Sequence, residues 1–444
     1  MPRSTSPDTD DIAQLGTQPL TRAPLVPEPL LRRHNCLVSG DTRFRAAARL
    51  RQSLWREEQG LAPGLHRPGG SRNLPRALLG SALQPADAAK GLNVLSPAVH
   101  AFVRRCLVLR EEGAMVHYER LHRNLLSSEP LTYNLFVHLA LNLDLATAVF
   151  RQLLPAFVHQ VTGIRFETSP GRHEVRFLND GTAFDAALAV ITADGELATV
   201  LIEVKYSEGC TGPAATHRPR YDEASREAAL HREPDALALR STMLEQFWRL
   251  HLLAQLAVRN DVTPRAHLLV LAPQLNRRVR AACRLYAAEL IDPAGSSPTS
   301  VGFTALTLET FVTALAQAGG GAEAAYLQRR YLDLQPVLDL VLSGTAGPDD
   351  EPPTPGPVLA LPPPSSAAQS DALPHNVLNT LAASPEPGPT TQSAELPPTP
   401  RAKRSSARNT TSYRLRSRRA KAPSKSRRQS APSSPGNRSA QEVR

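Results

Sequence analysis

Residues 181–208 read GTAFDAALAVITADGELATVLIEVKYSE, and this stretch decides the fold. Two apolar runs of strand character flank Asp194-Gly195, a dipeptide that favours a hairpin turn. Side chains alternate along a strand, so Leu201, Glu203 and Lys205 share one face while Ile202, Val204 and Tyr206 take the other. Asp185, Ala187 and Ala189 share a face on the first strand. The register depends on the loop. A two-residue loop, Asp194-Gly195, sets Asp185 against Val204, with Asp185 and Glu203 on opposite faces. A three-residue loop, Ala193-Asp194-Gly195, sets Asp185 against Glu203 and puts Gly195 at the left-handed bulge position such loops favour. Opposed Cβ atoms then lie roughly 4.5–5.5 Å apart. Two carboxylates that close repel unless a cation sits between them. A hard divalent ion with oxygen ligands, Mg²⁺ or Mn²⁺, resolves the conflict. Lys205 lies on the same face, placed to orient or help deprotonate a water, or to stabilise charge on a phosphate under attack. That is equipment for metal-assisted phosphodiester hydrolysis.

Outward from this hairpin the hydrophobic period assigns the other elements. Helices are expected at 41–58, 97–112, 114–127 and 130–154, the last apolar nearly all round and so buried. Residues 60–97, dense in Gly and Pro, read as a long loop. Strands are expected at 161–168, 173–178, 183–191 and 197–206, and residues 209–235 read as loop-like or weakly helical. A helix at 239–258, a strand at 266–272, a helix at 276–290, a strand at 300–306 and helices at 307–317 and 323–342 complete the pattern. Helices, then antiparallel strands, then alternating helix and strand predict a mixed α/β sheet flanked by helices.

The chain has 444 residues, long enough for two or three domain equivalents, but its composition does not fill them evenly. Residues 345–444 hold 18 of the 40 prolines and bury too little apolar surface to order themselves. Residues 1–35 read similarly. The expected organisation is a terminus without structure over 1–35, one domain over 36–343 (helical to 158, α/β from 159), an acidic Pro-rich linker over 344–400 and a basic tail over 401–444. That tail carries 14 Lys/Arg against one acid, whereas residues 345–400 carry six acids and no Lys/Arg. The first 344 residues therefore hold only +3 of the net +10. The tail suits nucleic acid or an anionic surface, with Lys403, Arg404, Arg414, Arg416, Arg418, Arg419, Lys421, Arg427 and Arg428 as the phosphate-binding groups.

Other chemistries find little support. The sequence has no GxxxxGK[ST], HExxH or GxSxG, and its histidines lack metal-ligand spacing. Cys36, Cys106, Cys210 and Cys283 form no CxxC pair, so neither a disulfide framework nor a zinc site is expected, and a reducing cytoplasm fits. The first residues lack the apolar core of a signal peptide, and no apolar run reaches membrane-spanning length.

The pattern Asp185 … Glu203-Val204-Lys205 resembles the D…(D/E)-x-K motif of the PD-(D/E)XK nuclease superfamily, with Phe184 where a proline often precedes the Asp. SSEPLTYNLF (127–136), RFETSPGR (165–172), AFDAALAV (183–190), IEVKYSE (202–208), EQFWRLHLLA (245–254) and VLAPQLN (270–276) are similar, in order, to a bacterial restriction-endonuclease-like branch. The resemblance implies Asp185 and Glu203 as metal ligands and Lys205 as the catalytic lysine. It also implies an additional upstream acid, for which Glu119, Glu129 and Glu167 are candidates. Gln246 is expected to contact DNA or a metal-bound water, and Trp248 to pack in the core. Tyr206 and Glu208 extend the matched segment without an assigned role. The implied activity is metal-dependent DNA endonuclease, in restriction or DNA processing, with RNA as substrate and a homodimer left open. The competing readings are a silent nucleic-acid-binding protein that keeps the fold, and an interaction protein acting through its tail.

Overall fold

The computed structural model describes residues 19–66, 76–114, 116–210 and 216–344. The linker from 345 onward and the tail with its nine named basic residues lie outside the described residues.

The described residues open with α1 (Glu28–Arg33) and α2 (Arg43–Glu58), the latter capped by Thr42, whose hydroxyl accepts from the Arg45 amide. Then come β1 (Pro63–His66), β2 (Ala77–Leu83), α3 (Pro85–Ala89) and α4 (Pro97–Val108), followed by a π turn at Glu119–Arg123. Next are α5 (Ser128–Leu141) and α6 (Leu143–Leu153). The main sheet begins with β3 (Gln160–Thr168), β4 (Phe184–Ile191) and β5 (Leu197–Val204). Then follow α7 (Pro219–Ala228), α8 (Glu245–Arg259), β6 (Ala266–Ala272), α9 (Arg277–Glu289) and β7 (Gly302–Thr307). The described chain closes with α10 (Leu308–Gln317), α11 (Gly321–Leu327), a second π turn and α12 (Gln335–Gly344).

The five-stranded sheet runs β3-β4-β5-β6-β7. Its first three strands are antiparallel and its last two joints parallel, with α8 and α9 as the crossovers. One face packs Ile164, Leu188, Val200 and Ile202 against α2, α5, α6 and α10. The other packs Ala187, Leu201, Leu268 and Val270 against α7, α8 and α9. This is the mixed sheet between helices that the sequence predicts. The hairpin register is also as expected for the three-residue loop. Ala187 pairs with Leu201 and Ile191 with Leu197, and the Thr192 amide donates to Glu196 O at 2.9 Å. Gly195 takes φ +86°. A Cβ there meets no atom within 4 Å, so substitution carries only backbone cost. Gly195→Ala should cost about 1 kcal/mol and lower the unfolding midpoint by about 2–4 °C in a thermal melt.

Several elements differ from the sequence reading. Residues 28–33, inside the stretch expected to lack structure, form α1 and bury Leu30 and Leu31. Residues 60–97 are not a continuous loop. They carry the β1–β2 hairpin, whose glycines permit close approach: a Cβ on Gly64 would lie 2.3 Å from Leu83 O, and one on Gly80 would lie 2.2 Å from His34 O. Residues 173–178 are turns, not a strand. His173 and Asn179 take left-handed φ, and the His173 amide donates to Asp180 O, closing the segment on itself while Phe177 and Leu178 are buried. Among the described residues only one π turn stands where a helix over 114–127 was expected, and Asn124 bridges to Ala82 on β2. The expected helix over 130–154 bends by 118° at Asn142, whose side chain caps α6. The final helix is broken by the second π turn. Among the described residues no single helix is long and apolar enough to cross a membrane.

Candidate active site

Strand register builds the site. The pairs Phe166↔Ala186 and Thr168↔Phe184 bracket Glu167 against Asp185. The pair Ala186↔Ile202 leaves Asp185 against Glu203 at the next position. Glu167, Asp185 and Glu203 thus form one row across β3, β4 and β5. Where the β4–β5 ladder ends, Asp185 Oδ2 accepts from the Val204 amide at 2.7 Å. The Lys205 amide continues the ladder to β6, donating to Leu271 O at 2.8 Å. The first turn of α8 supplies Gln246. Its Nε2 donates to Glu203 Oε1 at 2.8 Å, and its Oε1 accepts from Lys205 Nζ at 2.6 Å. Lys205 Nζ also lies 2.6 Å from Glu203 Oε1. Carboxylate, ammonium and amide close a triangle in which Glu203 and Lys205 are both buried.

The electrostatics follow from this crowding. Burial, then the Glu203 charge, holds the Asp185 carboxyl well above the usual carboxylate range. Burial alone would push Lys205 down, but Glu203, Glu208 and Asp185 outweigh it and the ammonium is held above its ordinary value. Burial raises Glu129 to about 7, with Arg120 opposing and Glu167 adding. Burial likewise raises Glu167 to about 7, with Arg172 opposing and Glu203 adding.

The row opens into a cleft of about 620 Å³ lined by Asp185, Glu129, Glu167 and Gln246. Arg120, Arg218 and Arg249 give the cleft a cationic rim. Of the sequence candidates, Glu119 is not brought here. It pairs with Arg123 at 2.6 Å and leaves its side chain largely exposed, because the π turn points it to the other side. Trp248 is fully buried, as expected. Glu208 has a structural role. Its Oε2 accepts from the Tyr206 amide and its Oε1 from the Ser128 amide, tying the segment after β5 to the start of α5. The sequence reading missed Asp180, Tyr221 and Arg249. Asp180 Oδ2 accepts from Tyr221 at 2.8 Å and lies 3.3 Å from Arg249. The available signal was Arg249 one turn beyond Gln246 on the same helix face.

The donor set is all oxygen, and the crowding that holds the Asp185 carboxyl high is what a bound cation would relieve. That fits a hard divalent ion held by Asp185 and Glu203. Among the described residues no group of three or more His, Cys, Asp or Glu side chains is arranged to hold a metal ion. An open two-carboxylate site suits an ion that keeps several waters, as Mg²⁺ does.

The sequence profile described as the PD-(D/E)XK nuclease superfamily matches residues 39–333, well over half of the chain. The chain belongs to the PD-(D/E)XK nuclease superfamily. The matched span includes α2, the β1–β2 hairpin and α4–α6 as well as the sheet. No curated protein and no solved structure matches the chain. Membership suggests a nuclease-type phosphodiester hydrolase, acting on nucleic acid.

Proposed function

We propose that this protein is a Mg²⁺- or Mn²⁺-dependent DNA endonuclease of the cytoplasm, serving restriction or DNA processing. The observation that carries the reading is the buried triangle of Glu203, Lys205 and Gln246 beside Asp185, in the row that opens into the cleft. Asp185 and Glu203 would hold the ion. When bound, the ion supplies Lewis-acid polarisation of the phosphoryl group and acidifies water. Lys205, held as an ammonium, stabilises charge on the phosphate and orients the attacking water. Gln246 fixes the Lys205 head group, so the cation is aimed before substrate arrives. Glu167 completes the carboxylate row, and Glu129 faces it across the cleft. The unpaired spacing of the four free cysteines supports a reducing compartment.

The test is incubation of the full chain with supercoiled plasmid and with linear duplex, with and without Mg²⁺ or Mn²⁺, alongside Glu203→Ala. Metal-dependent nicking by the wild type, lost in the variant, is expected. Equal inertness of both proteins on both DNAs would favour a silent nucleic-acid-binding protein instead.

The tail is assigned non-specific phosphate binding through Lys403, Arg404, Arg414, Arg416, Arg418, Arg419, Lys421, Arg427 and Arg428. Each phosphate contact contributes about 0.9 to the slope of log affinity against log salt. Deleting 401–444 should therefore flatten that slope by several units in a filter-binding or anisotropy titration. An unchanged slope would remove the tail from DNA binding.

A further inference from the structure

Beside the active cleft lies a second hollow of about 340 Å³, walled by α2, the β1–β2 hairpin and the first π turn. Arg45, Arg49, Arg120 and Arg123 converge on it. Two of them are fully committed to the fold. Arg49 holds Asp41 with Nε at 2.7 Å and Nη2 at 3.1 Å, and its Nη1 donates to Ser81 at 2.8 Å. Arg123 holds Glu119 and donates to Leu83 O at 3.1 Å and Leu65 O at 2.9 Å. The other two have capacity to spare. Arg45 shares Asp41 with Arg49, and its buried Nε makes no well-directed hydrogen bond although Oδ1 lies 3.1 Å away. Arg120 reaches only to within 4.0 Å of Glu129 and is half exposed.

Four guanidinium groups thus stand against three carboxylates, Asp41, Glu119 and, at 4.0 Å from Arg120, Glu129. The excess of positive charge calls for an anion. The guanidinium fork matches phosphate oxygens, and its weak hydration favours such pairing in a partly closed hollow. Arg120 lines both this hollow and the active cleft, so a strand leaving the cleft meets the hollow next. Leu65 and Leu79 add an apolar wall suited to a sugar or base face.

We propose that this hollow is a phosphate-binding subsite that holds the nucleic-acid strand beside the cleaved bond. Arg45 and Arg120 contact the phosphate, and Arg49 and Arg123 form a fixed positive wall. The inference rests on the nuclease reading of the adjoining cleft. It gives the hairpin expected as loop a part in substrate binding, and the contact reads backbone rather than sequence.

The test uses the full chain in EDTA, where no cutting occurs, and a radiolabelled oligonucleotide. The photo-crosslinker p-benzoyl-phenylalanine replaces Leu65 in the hollow or, in a second protein, Ala183 in the cleft. Leu65 is 44% exposed and accepts the larger side chain. Crosslinking at both positions is expected. Arg45→Glu, at a side chain 39% exposed, should lower the yield at 65 at least about fivefold, as expected for losing a phosphate contact, and leave the yield at 183 unchanged. Crosslinking at 183 alone, or a yield at 65 indifferent to Arg45→Glu, would overturn the subsite and leave the nuclease reading standing. Displacement from 65 by low-millimolar inorganic phosphate at constant ionic strength would also overturn it, marking a site for free phosphate. Crosslinking at neither position would overturn both.

Discussion

On the proposed activity, Lys205→Met will slow metal-dependent DNA hydrolysis by about 10²–10⁴-fold in single-turnover cleavage, the range for losing a preorganised charge or proton-handling group at the reacting centre. The side chain is nearly isosteric, so the loss reads the ammonium and not its volume. A second effect accompanies the first. Lys205 lies 2.6 Å from the buried Glu203 carboxylate. Breaking a buried ion pair from one side leaves an uncompensated charge and costs about 3–5 kcal/mol. The two effects separate on adding Mg²⁺. A cation at Asp185 and Glu203 restores the counter-charge, so it should raise the unfolding midpoint of Lys205→Met more than that of the wild type. It should not restore cutting, because the second charge beside the phosphate is still missing. Lys205→Arg keeps the charge but is too large for the seat between Glu203 and Gln246, and should recover stability better than rate. A Lys205→Met protein cutting within a few fold of wild type would remove the lysine from the chemistry.

The hairpin could be read from sequence because its information is local. Asp194-Gly195 marks the turn but leaves a two-residue and a three-residue loop open, and the structure takes the three-residue one, whose register brings Asp185 to Glu203. The strand at 266–272 was legible for the same reason: seven buried residues in a run between turn signals. Reading failed where long-range packing decides. The alternation at 173–178 suits a strand, yet burying Phe177 and Leu178 through turns satisfies it equally well. Glu119, Glu129 and Glu167 are indistinguishable as letters. Only the π turn, the start of α5 and the bracket of ladder pairs on β3 separate the first from the other two. The cationic rim was hidden because Arg120, Arg218 and Arg249 come from three distant segments that meet only in the fold.

Glu129→Gln and Glu167→Gln will each raise the unfolding midpoint at pH 8 in EDTA, while Glu167→Gln lowers cutting. Both carboxyls sit at about 7 in the fold, raised by burial above an unfolded value near 4.5. A folded pKa above the unfolded one means that no penalty exists below about pH 4.5. The penalty grows as pH rises and is complete once pH passes 7. Ionised at pH 8, each group costs the fold on the order of 1–3 kcal/mol, at about 1.4 kcal/mol per pKa unit reduced for solvent screening. The reduction is larger for Glu167, whose side chain is 31% exposed against 19% for Glu129. A neutral amide of the same shape removes that cost. The gain should shrink by more than half at about pH 5.5, where the wild-type groups are themselves protonated in the fold. Lower pH is a poor place to measure, because burial holds His138, His231 and His267 at about 4 and His251 at about 3, and charging them destabilises every variant together. Glu167 stands in the row with Asp185 and Glu203, and losing a carboxylate beside the proposed metal site should cost about 10–100-fold in metal affinity or activity. Gln variants no more stable than wild type at pH 8 would show that these carboxyls are not held above their ordinary range.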